Sequence, residues 1–298
     1  MGDVAPPLGK GVLMLSAFKR RAKRFRWLAH RYRVWRDATF ERVEPQPTPF
    51  GFLLSGQRDM MNGTFEPAET AMIRRLAAHT DVFVDVGANI GYYVCHVLQS
   101  NPGCKVVAIE PLPGNLRYLL RNVKANGWEH RCEVVPVAVS AQPAVVSLFG
   151  AGTGASLVRG WNGAPDSSAV LVPANALENI IGERFPGKRC LIMIDVEGHE
   201  AAVIDGAGSL LSRSPKPIWF VEIGLSEHLA GDGGHPSFGR VFEAFSNSGY
   251  DAWACTASPR RISIEEARVA ARDSISLGTH NFLFAEKGLD LCAGGPAG

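Results

Sequence analysis

The chain has 298 residues, 46% of them hydrophobic and 20% charged, with a formal net charge of +2. That composition suits a soluble protein with one large or two small domains and a sizeable core. It excludes a helical membrane span, because no run reaches the roughly 18 uninterrupted apolar residues that a span needs.

The charge is uneven. Residues 1–42 hold eleven Lys/Arg against three acids, a balance of +8, and the remaining chain balances at −6. Within that arm Leu15, Phe18, Ala22, Phe25, Ala29, Tyr32 and Trp35 recur at steps of three and four. The spacing predicts a basic amphipathic helix over 10–36. Such a helix either lies on an anionic membrane or acidic partner, or packs on its own domain with a solvated basic back. Its basic residues interrupt the short apolar run, an order that does not fit a secretory signal. The six cysteines (95, 104, 132, 190, 255 and 292) form no C-x-x-C pair. Reduced thiols in a cytoplasmic protein, peripheral at a membrane if the arm binds one, are expected, without structural zinc. Residues 43–63, with three prolines in "VEPQPTPFG", read as a linker.

From residue 64 the text alternates. "PAETAMIRRLAAH" predicts a helix. "VFVDVG" (82–87), "KVVAIEP" (105–111) and "EVVPVAVS" (133–140) predict buried strands, with helices in "GYYVCHVLQS" and "GNLRYLLRNVKANG" between them. This β-α-β-α-β order predicts a parallel sheet covered on both faces. Residues 145–188 are Gly-rich and predict a hairpin or insertion. The alternation then resumes with strands 190–198 and 217–224 and two helices. Strands 250–257 and 280–287 are expected as an antiparallel edge hairpin, and 288–298 as a tail.

Ligands bind outside the carboxyl ends of strands in such sheets. "DVGANIGYY" stands at one of these ends and opens a helix. Gly87 and Gly91 let the backbone approach a ligand, and the helix offers free N–H groups. The middle glycine of a dinucleotide turn is replaced by Asn89, and Asp85 is poorly placed for a pyrophosphate. Asp85 suits a cationic ligand, an α-amino group or, through water, a sulfonium. Glu110, closing the next strand, can accept two ribose hydroxyls. Together they point to S-adenosylmethionine rather than NAD, with Val137 and Ala138 offered as an adenine wall. The bland alternatives are a tight turn at Gly87 and Gly91, a capping or buried Asp85, and a surface Glu110.

"IMIDVEGHE" places Asp195, Glu197 and His199 at steps of two, on one face if the chain stays extended. Four readings stand. Asp195 or His199 is a general base. Asp195 and Glu197 hold Mg²⁺. Glu197 or Glu200 caps the next helix. Or His199 merely starts that helix. Glu222, inside "WFVEIG", is a further acid at the same edge and costly to bury alone. His228, His235 and His280 are weaker candidates.

These segments, with "LIMIDVEGHEAAVIDGAGSLL", "FVEIG" and "HNFLFAEK", resemble the FkbM-type methyltransferases over about residues 64–286. The resemblance implies a class I methyltransferase domain over 64–287. Its fold would be α/β: a Rossmann-like, seven-stranded, mostly parallel, doubly wound sheet with an antiparallel C-terminal strand. It implies methyl transfer from S-adenosylmethionine, usually to a hydroxyl of a sugar, glycan or natural product. Carried over by position, Asp85, Gly87, Asn89, Gly91 and Glu110 serve the cofactor, with Ala88 in the same turn. Asp195, Glu197 and Glu222 line the acceptor side. Met193 stands where the family usually has Lys, and His199 where a small residue is common. "DVEG" replaces the Asn-Pro-Pro-aromatic segment of many amine-directed nucleic-acid methyltransferases, which favours a hydroxyl acceptor. The competing readings are an RNA-directed enzyme, disfavoured by the acidic body, and a non-catalytic binding module.

Overall fold

Runs of β-branched and aromatic residues between helices set the architecture seen in the computed structural model. It describes residues 44–224, 237–256 and 259–289. The predicted helix at 10–36, His228, His235, Cys292 and the tail from 290 lie outside them.

A short hairpin, β1 (Gln46–Pro47) and β2 (Leu53–Leu54), leads through α1 (Arg58–Asn62) to α2 (Pro67–Ala77). Then come β3 (Val82–Val86), α3 (Tyr92–Ser100), β4 (Lys105–Ile109), α4 (Pro113–Ala125) and β5 (Cys132–Val135). Next are β6 (Ala138–Val139), β7 (Ala144–Leu148), β8 (Val170–Asn175), α5 (Leu177–Ile180), β9 (Cys190–Ile194) and α6 (Glu200–Asp205). The order closes with β10 (Ile218–Glu222), α7 (Ser237–Asn247), β11 (Tyr250–Ala254), β12 (Arg260–Ile262), α8 (Ile264–Asp273) and β13 (Asn281–Glu286).

The main sheet has eight strands in the order β12-β11-β13-β10-β9-β3-β4-β5. The five from β10 to β5 are parallel, and β13 runs antiparallel to both β10 and β11. Two expectations are corrected. The count is eight, because Arg260–Ile262 adds a strand beside β11. The last strand is no edge: Phe282, Leu283 and Phe284 are almost fully buried and pair on both sides. Four apolar residues in a row suit a strand packed on both faces better than an edge.

"EVVPVAVS" is not one strand either. Pro136 has no N–H to give a ladder, so β5 stops at Val135. The following β6 joins β7 and β8 in a separate three-stranded sheet, order β6-β8-β7. The predicted hairpin is the β7–β8 pair of that sheet.

Strand alternation divides the core. Val82, Val84 and Val86 face one apolar layer with Ile192, Ile194, Trp219 and Val221. Phe83, Leu191, Met193 and Phe220 face the other, with α2, α3 and residues of the lead-in. By the same alternation Asp85, Asp195 and Glu222 belong to this second face.

The lead-in does not behave as a linker. Phe52, Leu54 and Met60 are 0–3% exposed and pack into the second layer. Two asparagines one helical turn apart hold it. Ser55 N–H donates to Asn122 Oδ1 (2.7 Å) and Leu53 N–H to Asn126 Oδ1 (2.8 Å), and both side-chain amides donate back to the same residues' carbonyls. These amides pair with an extended backbone as a neighbouring strand would. Asn122 Nδ2 also donates to Ile90 O (2.8 Å), which ties the lead-in to the glycine turn.

Candidate functional site

The turn after β3 is built for close approach. A Cβ on Gly87 (φ +90°) would stand 1.8 Å from the carbonyl oxygen of Asp195, so the two loops touch backbone to backbone. Asp195 N–H donates to Val86 O (2.9 Å) at this crossing. Gly91 (φ +83°) caps α3 against Leu119. Both glycines serve the turn, and Gly87 lines both cavities, whereas Gly91 lines neither. Between them Asn89 has φ +50°, and its buried Oδ1 has no hydrogen-bond partner.

Two cavities meet here. The first, about 560 Å³ with open solvent included, is walled by Ile109, Val137, Ala138, Leu148 and Leu157. Glu110 stands on its rim, held by Asn89 N–H (2.8 Å), Leu112 N–H (2.8 Å) and Asn115 Nδ2 (3.3 Å). Asn115 also donates to Gly152 O (3.2 Å), fastening the β7–β8 insertion to this rim. Burial pushes the Glu110 carboxyl up to about 7 against the pull of those donors. An apolar slot beside a fixed carboxylate fits a nucleoside.

The second cavity, about 680 Å³ on the same terms, lies beneath the lead-in. Its wall includes Phe65, Glu66, Asp85, Tyr93, Met193 and Glu222. Asp85 is thus inside the molecule but on this side; burial, then the charge of Glu110, raises it to about 7. Asp195 is pushed well above the usual carboxylate range by burial and by Glu222, and Glu222 is raised by burial and neighbouring acids. Gly87, Asn89, Thr153, Asp195 and Glu197 line both cavities and form the wall between them.

The strand geometry assumed for "DVEGHE" fails after Asp195. Glu197 has φ +53° and Gly198 φ +96°, so the chain curls and His199 parts from Asp195 and Glu197 at the second cavity. Trp161 Nε1 donates to Glu197 Oε2 (2.6 Å), Ser156 Oγ donates to Glu197 O (2.6 Å), and the Trp161 ring lies over Gly198. A non-glycine residue in the left-handed region costs energy, and these contacts from the insertion hold it there. His199 turns to the first cavity, 3.1 Å from Ser140 Oγ, and does not line the second. That removes it from the acceptor side. Glu200 does act at the helix start, accepting from Gly198 N–H (2.6 Å).

Mg²⁺ at Asp195 and Glu197 finds no support: among the described residues no group of three acids, histidines or cysteines is placed to hold a metal ion. The sequence reading missed Glu66, Tyr93, Asn115, Thr153, Ser156 and Trp161. Only Trp161 carried a signal, a lone large aromatic in a Gly-rich stretch.

A mostly parallel sheet with two joined cavities at the carboxyl ends of β3, β4 and β9, and one reversed strand between β10 and β11, is the class I methyltransferase arrangement. A family model described as "Methyltransferase FkbM domain" matches residues 85–252, and the chain belongs to that family. It is a methyltransferase of the S-adenosylmethionine-dependent class. Among solved structures it is similar to an O-methyltransferase from Bacillus cereus in complex with SAH (10% identity, 86% of this chain and 88% of that one, TM-score 0.43). It is also similar to precorrin-6y C5,15-methyltransferase from Geobacter metallireducens (12%, 80% and 96%, TM-score 0.42) and to an O-methyltransferase family protein from Burkholderia thailandensis (10%, 88% and 71%, TM-score 0.41). A sequence search of curated proteins finds no match.

Proposed function

We propose that the chain O-methylates a hydroxyl on a sugar, glycan or natural-product acceptor. S-adenosylmethionine, when bound, supplies a methyl group on a positively charged sulfur. The residues fit that cofactor: an apolar slot with a fixed Glu110 for the nucleoside, and the buried Asn89 Oδ1 and Asp85 for its amino end. The observation that carries the reading is Asp195 in the wall shared by both cavities. A base must stand where donor and acceptor meet, and burial together with Glu222 raises the proton affinity of the Asp195 carboxylate. The lead-in over the second cavity limits water there, and alignment of the acceptor contributes the rest. The basic segment 10–36 belongs to the same proposal as a surface-holding arm.

The test is calorimetric titration with S-adenosylhomocysteine of the wild type and an Asp85→Ala/Glu110→Ala double variant. It is followed by transfer of labelled methyl to hydroxyl-rich acceptors, with the methylated atom located by NMR. Micromolar binding lost in the variant is expected. A folded wild type that does not bind would overturn the reading, and label on nitrogen or carbon would overturn the hydroxyl assignment.

A further inference from the structure

Five carboxylates line the second cavity (Glu66, Asp85, Asp195, Glu197 and Glu222), and its described lining holds no lysine, arginine or histidine. Two of them are occupied within the protein. Tyr93 Oη donates to Glu66 (2.5 Å), and Trp161 donates to Glu197. Asp195 and Glu222 accept no hydrogen bond from any described residue. Both residues are half-buried and line the cavity. Each raises the other's cost of ionising, or adds to that of the group's other members. Asp85, 2% exposed, accepts no hydrogen bond from the described residues either.

A buried carboxylate without donors, as at Asp85, is expensive, and half-buried acids beside it share part of that cost unless a ligand brings the donors. The register Asp85↔Met193↔Phe220 sets the Met193 thioether on this face, so the strand between the acids contributes no fixed counter-charge. A bare metal ion does not match the spacing, because among the described residues no three such groups converge on one point. The negative charge is instead spread along a cavity of organic-molecule size. The amino end of the cofactor answers Asp85. It leaves Asp195, Glu222 and Glu66 on the acceptor's side of the shared wall.

We propose that the acceptor carries a protonated amine beside the hydroxyl that is methylated, and that Asp195, Glu222 and Glu66 receive this ammonium group. The chemical class is an amino sugar or other amino alcohol. An ammonium offers three N–H donors, enough for the two carboxylates without donors, just past β9 and at the end of β10, and for the second oxygen of Glu66 at the start of α2. The amine selects and orients, and the hydroxyl reacts. The inference rests on the methyltransferase reading of the two cavities.

The experiment uses the full chain and matched probes that differ chiefly in charge: glucosamine against N-acetylglucosamine, 2-aminoethanol against ethylene glycol, and spermidine against 1,8-octanediol. Affinity is read by calorimetry with and without saturating S-adenosylhomocysteine. At least one ammonium probe is expected to bind about tenfold or more tightly than its neutral pair, and to weaken as salt rises from about 50 to 500 mM. A Glu222→Gln/Glu66→Gln variant, its fold checked by circular dichroism, is expected to lose most of that preference. If it does not fold, Glu222→Gln alone gives the same readout. No pair favouring the cation, or a preference undiminished in the variants, would overturn the proposal. An ammonium preference without S-adenosylhomocysteine binding would support the cation site and sink the methyltransferase reading, so the two failures are distinct.

Discussion

Glu110, on the nucleoside side, is held by two backbone N–H groups and Asn115, whereas Asp195 and Glu222, across a shared wall, accept nothing from the described residues. Both regions bury acids at strand ends of one sheet. One has its acid locked in place before any ligand arrives; the other leaves its acids waiting. A locked carboxylate suits a ligand part that never changes, such as a ribose. Unsatisfied ones suit a partner that brings its own donors and then departs.

Gly87→Ala would break both regions together. The added methyl meets the Asp195 carbonyl, and φ +90° suits only glycine, so a loss of about 4 kcal/mol or more in urea unfolding is expected, with S-adenosylhomocysteine binding abolished. The two regions then separate under isosteric changes. Asp195→Asn is expected to lower kcat by about 10²- to 10⁴-fold, the range for a lost general base. Glu110→Gln is expected to act mainly on cofactor affinity, weakening S-adenosylhomocysteine by about ten- to a hundredfold in calorimetry. Equal effects of both on cofactor affinity would erase the distinction.

The pH dependence of stability sharpens it further. Asp85 and Glu110 are each raised to about 7, so the folded protein holds their protons more tightly than the unfolded chain does. Their contribution is fully present below about pH 4 and is lost as pH rises through about 7. His96 works the other way. It is buried between Phe50, Phe52 and Tyr92 and lowered to about 3, chiefly by burial, so its contribution is present above about 6.5 and lost as pH falls. These three groups together should cost the ligand-free protein on the order of 3 kcal/mol between about pH 5 and 8 in chemical unfolding, and Glu200 and Glu222, raised to about 7 and about 8, deepen the alkaline loss. Saturating S-adenosylhomocysteine should shrink that slope. The smallest effect is expected at the clamp. Trp161→Phe removes the N–H to Glu197 and draws the ring back from Gly198, for about 1.5–3 kcal/mol of stability. It should also change kcat more than KM, a split that lost packing alone would not produce.

The parallel core was legible because its signal is local: β-branched runs between amphipathic helices leave few arrangements. The glycine turn and Glu110 were legible for the same reason, each standing where a strand ends. What escaped was set by distant partners. Periodicity carries Asp195, Glu197 and His199 along one face, but Trp161 and Ser156 reach across from the insertion and hold Glu197 in a left-handed bend. The prolines near 47 signalled a connector, yet Asn122 and Asn126, more than 60 residues on, give that segment the partners of a strand. Glu66 was an unremarkable acid before a proline until the fold carried it over the second cavity.

The position of β13 bears on how the molecule comes to exist. Its residues, 281–286, form the last of the described strands and yet fill the gap between β10 and β11. Until those residues have emerged from the ribosome, β10 and β11 have open flanks. The sheet is completed only when nearly all the described chain has emerged. Loss of this one strand would leave two hydrophobic strand edges for the quality-control machinery to find.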